Sequence, residues 1–329
     1  MAQISKKESN IWFVIKAFAI ISVITAHMPF GQNFFTIEIV RNSLGQIGVG
    51  IFFIAAGYFY SRKPNDSADF WKKKAKTVIL PWFFYSTVVY IISAFIISGN
   101  AEKTVLGFIK NFLGIGTVYW YMTVMLFMLF IFTYIKKDIL LYACMAISII
   151  SVALSAMGII YNVWLLNNNF QFNQYFNVLN WVGFFALGVL LRKKNLIEKL
   201  INVKVAIISF IGFALAIGLV IIRNTTVSSY VDSTSLFVEL FGFVFLLNAS
   251  SLLSNSKIFV DIGKKSFFIY LMHVQVAGAL NTRLPYNLPF FILRPIIVLA
   301  LCYIVAVVFK FVLEKLKLSK FNFVFGLDR

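Results

Sequence analysis

Apolar residues run through this chain in long blocks separated by short polar or basic stretches. Read as spans, the blocks cover 11–30, 45–61, 78–98, 119–135, 139–157, 177–191, 203–222, 236–253, 265–281 and 290–313. A straight helical crossing of the hydrocarbon core takes ~20 residues, so several blocks are short for one. Backbone polar groups in hydrocarbon need partners within the protein. The fold expected is therefore all-α, a polytopic membrane helical bundle of about ten transmembrane helices, with a single domain over residues 1–329.

Composition agrees with this pattern. Of 329 residues 60% are hydrophobic and 13% charged, against about 25% charged in soluble domains. Lys6 and Lys7 before the first apolar block resemble the start of a signal peptide. The further apolar blocks, with no soluble stretch after them, argue for a retained first helix. Cys144 and Cys302 both fall inside spans, so no disulfide framework is expected. No Cys/His cluster has metal spacing, no glycine pattern cradles phosphate, and no internal repeat is seen.

The net charge of +18 raises the question of a nucleic-acid partner, and its distribution answers it. With the N-terminus inside, 23 of the 30 Lys and Arg residues fall in inner segments. Among them are Lys6, Lys7, Arg62, Lys63, Lys72, Lys73, Lys74 and Lys76, then Lys136, Lys137 and Arg192 to Lys194. The outer face keeps Arg41, Lys103, Lys110, Arg223, Arg283 and Arg294. The positive-inside rule thus predicts N-in and C-in topology and accounts for the charge with no nucleic acid.

Two outer connections stand out. Residues 99–118 contain Gly107, Gly114 and Gly116 among apolar residues, as in a re-entrant or interfacial segment. Residues 158–176 carry Asn, Gln and aromatic residues and no charge. That mixture suits carbohydrate, and equally an interfacial aromatic belt.

Four ionisable positions are candidates for chemistry. His27 lies sixteen residues into the first span, about 24 Å along its axis, near the outer face. An imidazole there suits a general base near neutral pH; the structural alternative is an interfacial histidine. Lys16 lies about 16 Å back toward the inside, where a lysine also snorkels to headgroups. His273 falls near mid-membrane in the ninth span, as a cavity lining or a packed donor. Glu239 lies near the outer end of the eighth span, at a depth expected to match His27, with orientation of the imidazole or an interfacial pairing with Arg223 as its alternatives. The basic stretch 62–76 reads as topology signal and lipid attraction, or as a landing site for a phosphate-rich donor.

These landmarks carry a resemblance. Lys16 and His27 form a basic residue, ten residues, then histidine. Further matches are Ile51–Phe59, Val78–Trp82, Tyr119-Trp120-Tyr121, Trp181–Gly188 and Ile262–His273. In this order the chain resembles the acyltransferase-3 family of integral membrane O-acyltransferases, particularly its fucose-4-O-acetylase-like and surface-polysaccharide members. Two positions depart from the common pattern. Lys16 stands where many members carry arginine, which removes bidentate binding. Phe13 stands where many carry aspartate, so an ion pair for Lys16 has to come from elsewhere. The chain ends soon after its last span, without the esterase-like domain of peptidoglycan-modifying members.

The resemblance implies transfer of an acetyl group from cytoplasmic acetyl-CoA to a hydroxyl of a surface glycan or its lipid-linked precursor, in the cell membrane and without a metal. On this reading His27, Lys16 and Glu239 are catalytic. The donor is bound by Lys72, Lys73 and Lys76, with Tyr58, Trp120, Tyr270 and His273 along its path. The competing class is a transporter or flippase of glycans or small acids, which commonly shows paired repeats absent here. A glycan polymerase is a third, and predicts a large charged outer loop. Oligomeric state has no signature in the chain.

Overall fold

The computed structural model describes residues 4–28, 35–60, 67–96, 102–157, 163–165, 170–172, 174–222 and 233–327. In chain order the helices are α1 (Lys6–Ala26), α2 (Phe35–Tyr58), α3 (Ser67–Lys74), α4 (Leu80–Ile91), α5 (Val105–Leu113), α6 (Trp120–Ile131) and α7 (Asp138–Ala156). They continue with α8 (Val178–Lys193), α9 (Ile197–Leu200), α10 (Val203–Ile222), α11 (Ser233–Leu252), α12 (Lys257–Lys264), α13 (Ser266–Asn281) and α14 (Leu288–Lys315). A π-helical turn, Ala75–Ile79, joins α3 to α4, and another, Ile92–Ile96, follows α4. The one sheet among the described residues is a hairpin of three-residue strands, β1 (Val163–Leu165) and β2 (Phe170–Phe172), paired antiparallel with Trp164 opposite Gln171.

The all-α expectation holds, and each predicted span overlaps an α-helix. The count of ten crossings does not follow from the helices alone. Six stretches of described residues are long and apolar enough to cross a membrane: Lys6–Ala26, Ser67–Phe95, Asp138–Ala156, Val203–Ile222, Ser235–Leu252 and Leu288–Lys315. Helices α6, α8 and α13 have 12, 16 and 16 residues, short of the ~20 that a straight crossing needs. The interfacial segment expected over 99–118 contains a nine-residue helix, α5, capped by Thr104 and ended by Gly114 at φ 86°. Its Phe112 stacks on Trp82 with ring centroids 4.2 Å apart. The basic residues Arg62, Lys63, Arg223 and Arg329, and most of the amide-rich loop within 158–176, lie outside the described residues.

Helix α1 is the axis of the bundle. Ser5 caps it, its Oγ accepting from the Glu8 amide at 3.1 Å. It buries residues all around its circumference, among them Trp12, Ile15, Ile20 and Ile24, and α2, α11, α12, α13 and α14 pack on it. A helix apolar on every side belongs at the centre of such a bundle. Small residues set the spacing of the next layer. A Cβ on Gly57 of α2 would meet the Phe185 carbonyl oxygen at 2.0 Å, and one on Gly188 of α8 would meet that of Ile54 at 2.0 Å. Without a hydrophobic drive between helices in lipid, this close approach is how they associate. The outer surface is apolar too: Ile208, Phe210, Ile211 and Leu215 of α10 are exposed, as a lipid-facing helix requires.

The lysine-rich ends of the helices are tied together. Tyr58 donates its hydroxyl hydrogen bond to Glu8, and the Tyr58 carbonyl accepts from Arg192 at 3.3 Å. Asn10 reaches the Ser254 carbonyl at 3.0 Å. Lys193 and Lys194 both pair with Asp138, Lys194 at 3.2 Å. On α12, Asp261 accepts from Tyr303 at 2.6 Å and from Lys265. Burial pushes the Asp261 carboxyl up, but the hydrogen bonds from Lys265 and Tyr303 outweigh it and hold it below its ordinary value. Segments that the charge pattern assigns to one side thus meet at one end of the bundle. Cys144 and Cys302 are both free and buried.

Candidate functional site

A cavity of about 340 Å³ opens at the lysine-rich end, between α1, α2, the α3–α4 junction, α6 and α13. Its size lies within the range of small-molecule sites. Lys16, Lys73, Lys74, Thr77 and Ser266 are among its polar residues. Phe52, Ala55, Ala56 and Phe59 of α2 line it, facing Tyr121, Met122, Met125 and Leu129 of α6. Ser266, Phe267 and Tyr270 of α13 complete the wall.

Local structure explains why these side chains converge. Lys73 and Lys74 close α3, and the π-helical turn that follows contributes Thr77 and Val78 to the wall. Wider turns of this kind are frequent at functional sites. Lys16 projects from α1 with Nζ 4.6 Å from the ring centroid of Phe13 and 5.7 Å from that of Phe59. Lys264 stands 5.5 Å from the same Phe13 ring. Where a carboxylate was expected to be missing, an aromatic face receives two cations.

The residues expected along the donor path divide. Lys16, Lys73 and Tyr270 line the cavity. Lys72 and Lys76 do not, and both are exposed; Lys76 lies over the Phe323 ring at 4.3 Å. Tyr58 packs against Trp12, ring centroids 4.4 Å apart, away from the cavity wall. Trp120 packs against Tyr175 at 5.4 Å and Trp181 at 5.6 Å, also off the wall. Lys74, beside Lys73 in the same basic run, belongs to the cavity and was not singled out from sequence. Nor were Met122 and Met125, and Tyr121 entered only within the Tyr119-Trp120-Tyr121 match.

Beyond the cavity the two histidines meet. The Tyr270 ring lies in the wall and contacts His273, centroids 5.7 Å apart. The His273 and His27 rings are 5.2 Å apart. Tyr270 is held at both ends: its hydroxyl donates to the Val118 carbonyl at 2.5 Å, and its own carbonyl faces His273 Nδ1 at 2.6 Å. A carbonyl oxygen only accepts, so Nδ1 carries the proton. In the neutral ring Nε2 then holds a lone pair. His273 is fully buried, while His27, the C-cap of α1, is exposed. Arg41 donates to the carbonyl of Met28, next to His27.

Glu239 occupies a different place from the one expected. It is 2% exposed. A Cβ on Gly50 would lie 3.3 Å from its carboxyl carbon. Gly45, five residues earlier on α2, abuts Ala26. At ~1.5 Å per residue, Glu239 lies about 7.5 Å inward of the end of α1 that carries His27. The ring beside His27 is that of His273, some 250 positions away in the chain and silent in its spacing. Among the described residues no group of three or more His, Cys, Asp or Glu is placed to hold a metal ion.

The sequence profile of a family described as an acyltransferase domain matches residues 13–315. Comparison with curated proteins and with solved structures finds no significant match.

Proposed function

The chain belongs to the acyltransferase-3 family, and from that premise we propose that this multi-pass membrane acyltransferase moves an acetyl group from cytoplasmic acetyl-CoA to a hydroxyl of a cell-surface polysaccharide or its lipid-linked precursor. One observation supports the reading above others. The cavity is lined by lysines and apolar residues together with Tyr270, whose ring neighbours His273, the partner of His27.

The donor's shape poses the problem this arrangement answers. Its phosphates cannot enter hydrocarbon unpaired, so they stay at Lys73, Lys74 and Lys16 as charge-assisted partners. The uncharged arm lies between α2, α6 and α13 and delivers the thioester toward Tyr270. His27, exposed at the far end of α1, meets an acceptor arriving from the other side. It takes the proton from the acceptor hydroxyl as the oxygen attacks the thioester carbon. The carbon–sulfur bond then breaks with its electron pair on sulfur, the proton taken up by the imidazole is returned so that the donor leaves as a free thiol, and the acetyl group is left on the sugar oxygen. Glu239 supports α2 along this path from its place beside Gly50. The whole chain acts as one domain in the cell's inner or plasma membrane.

The test is NMR of O-acetyl groups on surface glycans from cells lacking the protein, complemented with wild type or His27→Ala at matched membrane levels. Restoration by wild type alone, at unchanged glycan amount, is the expected result. Acetylation indifferent to the protein, or a change in exported glycan instead, favours a transporter.

A further inference from the structure

The mechanism above uses one histidine, yet the structure buries a second beside it. His273 is fully buried, its Nδ1–H is spent on the Tyr270 carbonyl at 2.6 Å, and its Nε2 has no hydrogen-bond partner. A buried acceptor left unmatched is costly and uncommon. The position of this one is informative. Tyr270 lines the cavity with its ring and holds Nδ1 with its carbonyl, while the exposed His27 ring lies 5.2 Å from that of His273. His273 therefore stands between the wall along which a thioester arrives and the imidazole that faces the acceptor.

We propose that His273 is a second catalytic residue, which returns the acceptor's proton to the departing sulfur; this rests on the acyl-transfer reading. The acceptor hydroxyl gives its proton to His27 as its oxygen bonds to the thioester carbon. The carbon–sulfur bond breaks and its electron pair leaves on sulfur. The His27 imidazolium passes the proton to His273 Nε2, the only ring position that the Tyr270 carbonyl leaves open. The Nε2–H then protonates the thiolate. Both histidines end neutral, the sugar carries the ester and the donor leaves as a free thiol, so no further reactant is needed. The division of labour follows exposure: the accessible ring serves the acceptor, and the enclosed one serves the leaving group.

A proton delivered to sulfur matters in proportion to how poorly the thiolate leaves. The experiment compares two labelled donors, acetylpantetheine and the acetyl thioester of 4-nitrothiophenol, whose thiolate needs no protonation to depart. Inside-out membrane vesicles from the producing cells present the lysine-rich face to the donor and carry their own acceptor. Transfer of label into glycan is measured for wild type, His273→Asn and His27→Ala. Asparagine keeps a donor toward the Tyr270 carbonyl and cannot carry the proton. Expected for His273→Asn is a loss of about 100-fold with acetylpantetheine, the scale of one acid–base group, and near wild-type transfer from the aryl thioester. His27→Ala loses transfer from both. An equal loss of His273→Asn with both donors, or none with either, overturns the proposal. The wild type alone provides an independent check: a rate that already follows the acidity of the leaving thiol means no proton is delivered, and also overturns it. No transfer by wild type from labelled acetyl-CoA, run beside the two donors, defeats the acyl-transfer reading itself.

Discussion

Gly263 of α12 presses against Phe13 of α1 so closely that a Cβ there would stand 1.7 Å from the Phe13 carbonyl oxygen. The contact pins the amphipathic helix α12 beneath the stretch of α1 that carries Lys16. Backbone cannot yield as a flexible side chain does, so Gly263→Ala has to separate the two helices. Overpacking of this kind costs about 1–3 kcal/mol and sometimes more. The expected outcome is a clear fall in Tm in detergent. Gly278→Ala on α13 is the control, because nothing lies within 4 Å of its Cβ. It is expected to be neutral or stabilising by up to about 1 kcal/mol. Equal Tm values for the two variants would contradict the tight packing.

The lysines near the cavity are predicted to be unequal. Lys73 and Lys74 line it, whereas Lys72 and Lys76 do not. Hydrogen bonds to charged groups contribute about 1.5–3 kcal/mol, a factor of roughly 10–100 in affinity. The pair Lys73→Gln with Lys74→Gln is expected to raise KM for acetyl-CoA by at least about tenfold with little change in kcat. The pair Lys72→Gln with Lys76→Gln is expected to leave both nearly unchanged. Steady-state kinetics on inside-out vesicles separates them, and equal effects would move the headgroup off the cavity mouth.

Replacing Glu239 is predicted to do less than replacing His27. A general base is typically worth 10²- to 10⁴-fold, so His27→Ala is expected to lose activity on that scale. Glu239→Gln keeps the shape of a side chain packed close to Gly50, and a loss below about tenfold is expected. A loss equal to that of His27→Ala, at unchanged Tm, would return Glu239 to the reacting atoms.

Asp261 makes the lysine-rich end sensitive to acid. Its carboxyl is held below the ordinary value in the folded protein despite partial burial, through Lys265 and Tyr303. A depressed carboxylate stabilises the fold above its unfolded value, about 3.9, and loses that contribution as pH falls through its folded value. Asp261→Asn is therefore expected to lower Tm at pH 7 and to converge with wild type as pH falls through the folded value of the carboxyl. Thermal unfolding at several pH values checks this, and a gap that widens with acid would reverse the sign.

How much of this was legible in the sequence depends on the kind of signal. Lys16 and His27 show themselves because an ionisable side chain in an apolar run is expensive. The lysine-rich ends show themselves for the same reason, as the ion pairs of Lys193 and Lys194 with Asp138 bear out. The cavity wall was illegible: Phe52, Met122 and Met125 are indistinguishable in sequence from core residues. The choice among Lys72 to Lys76 needed the phase of the helix, and the π-helical turn Ala75–Ile79 shifts that phase. The depth of Glu239 needed the register of α2 against α1, set by Gly45 on Ala26. The pairing of His27 with His273 is a tertiary contact that no local pattern announces.

Lys16 and His27 share one helix at the centre of the bundle, and this makes α1 a molecular gauge. About 16 Å of helix separates the two positions, and neither can drift relative to the other while α1 stays helical. On the proposed reading, a donor anchored by its phosphates would be selected by the length of the tether between its charged head and its reactive carbon. A shorter tether strands the thioester below the histidines, and a longer one must buckle within walls built of Phe, Met and Tyr. Specificity for the donor would then rest on reach rather than on recognition of the acyl group.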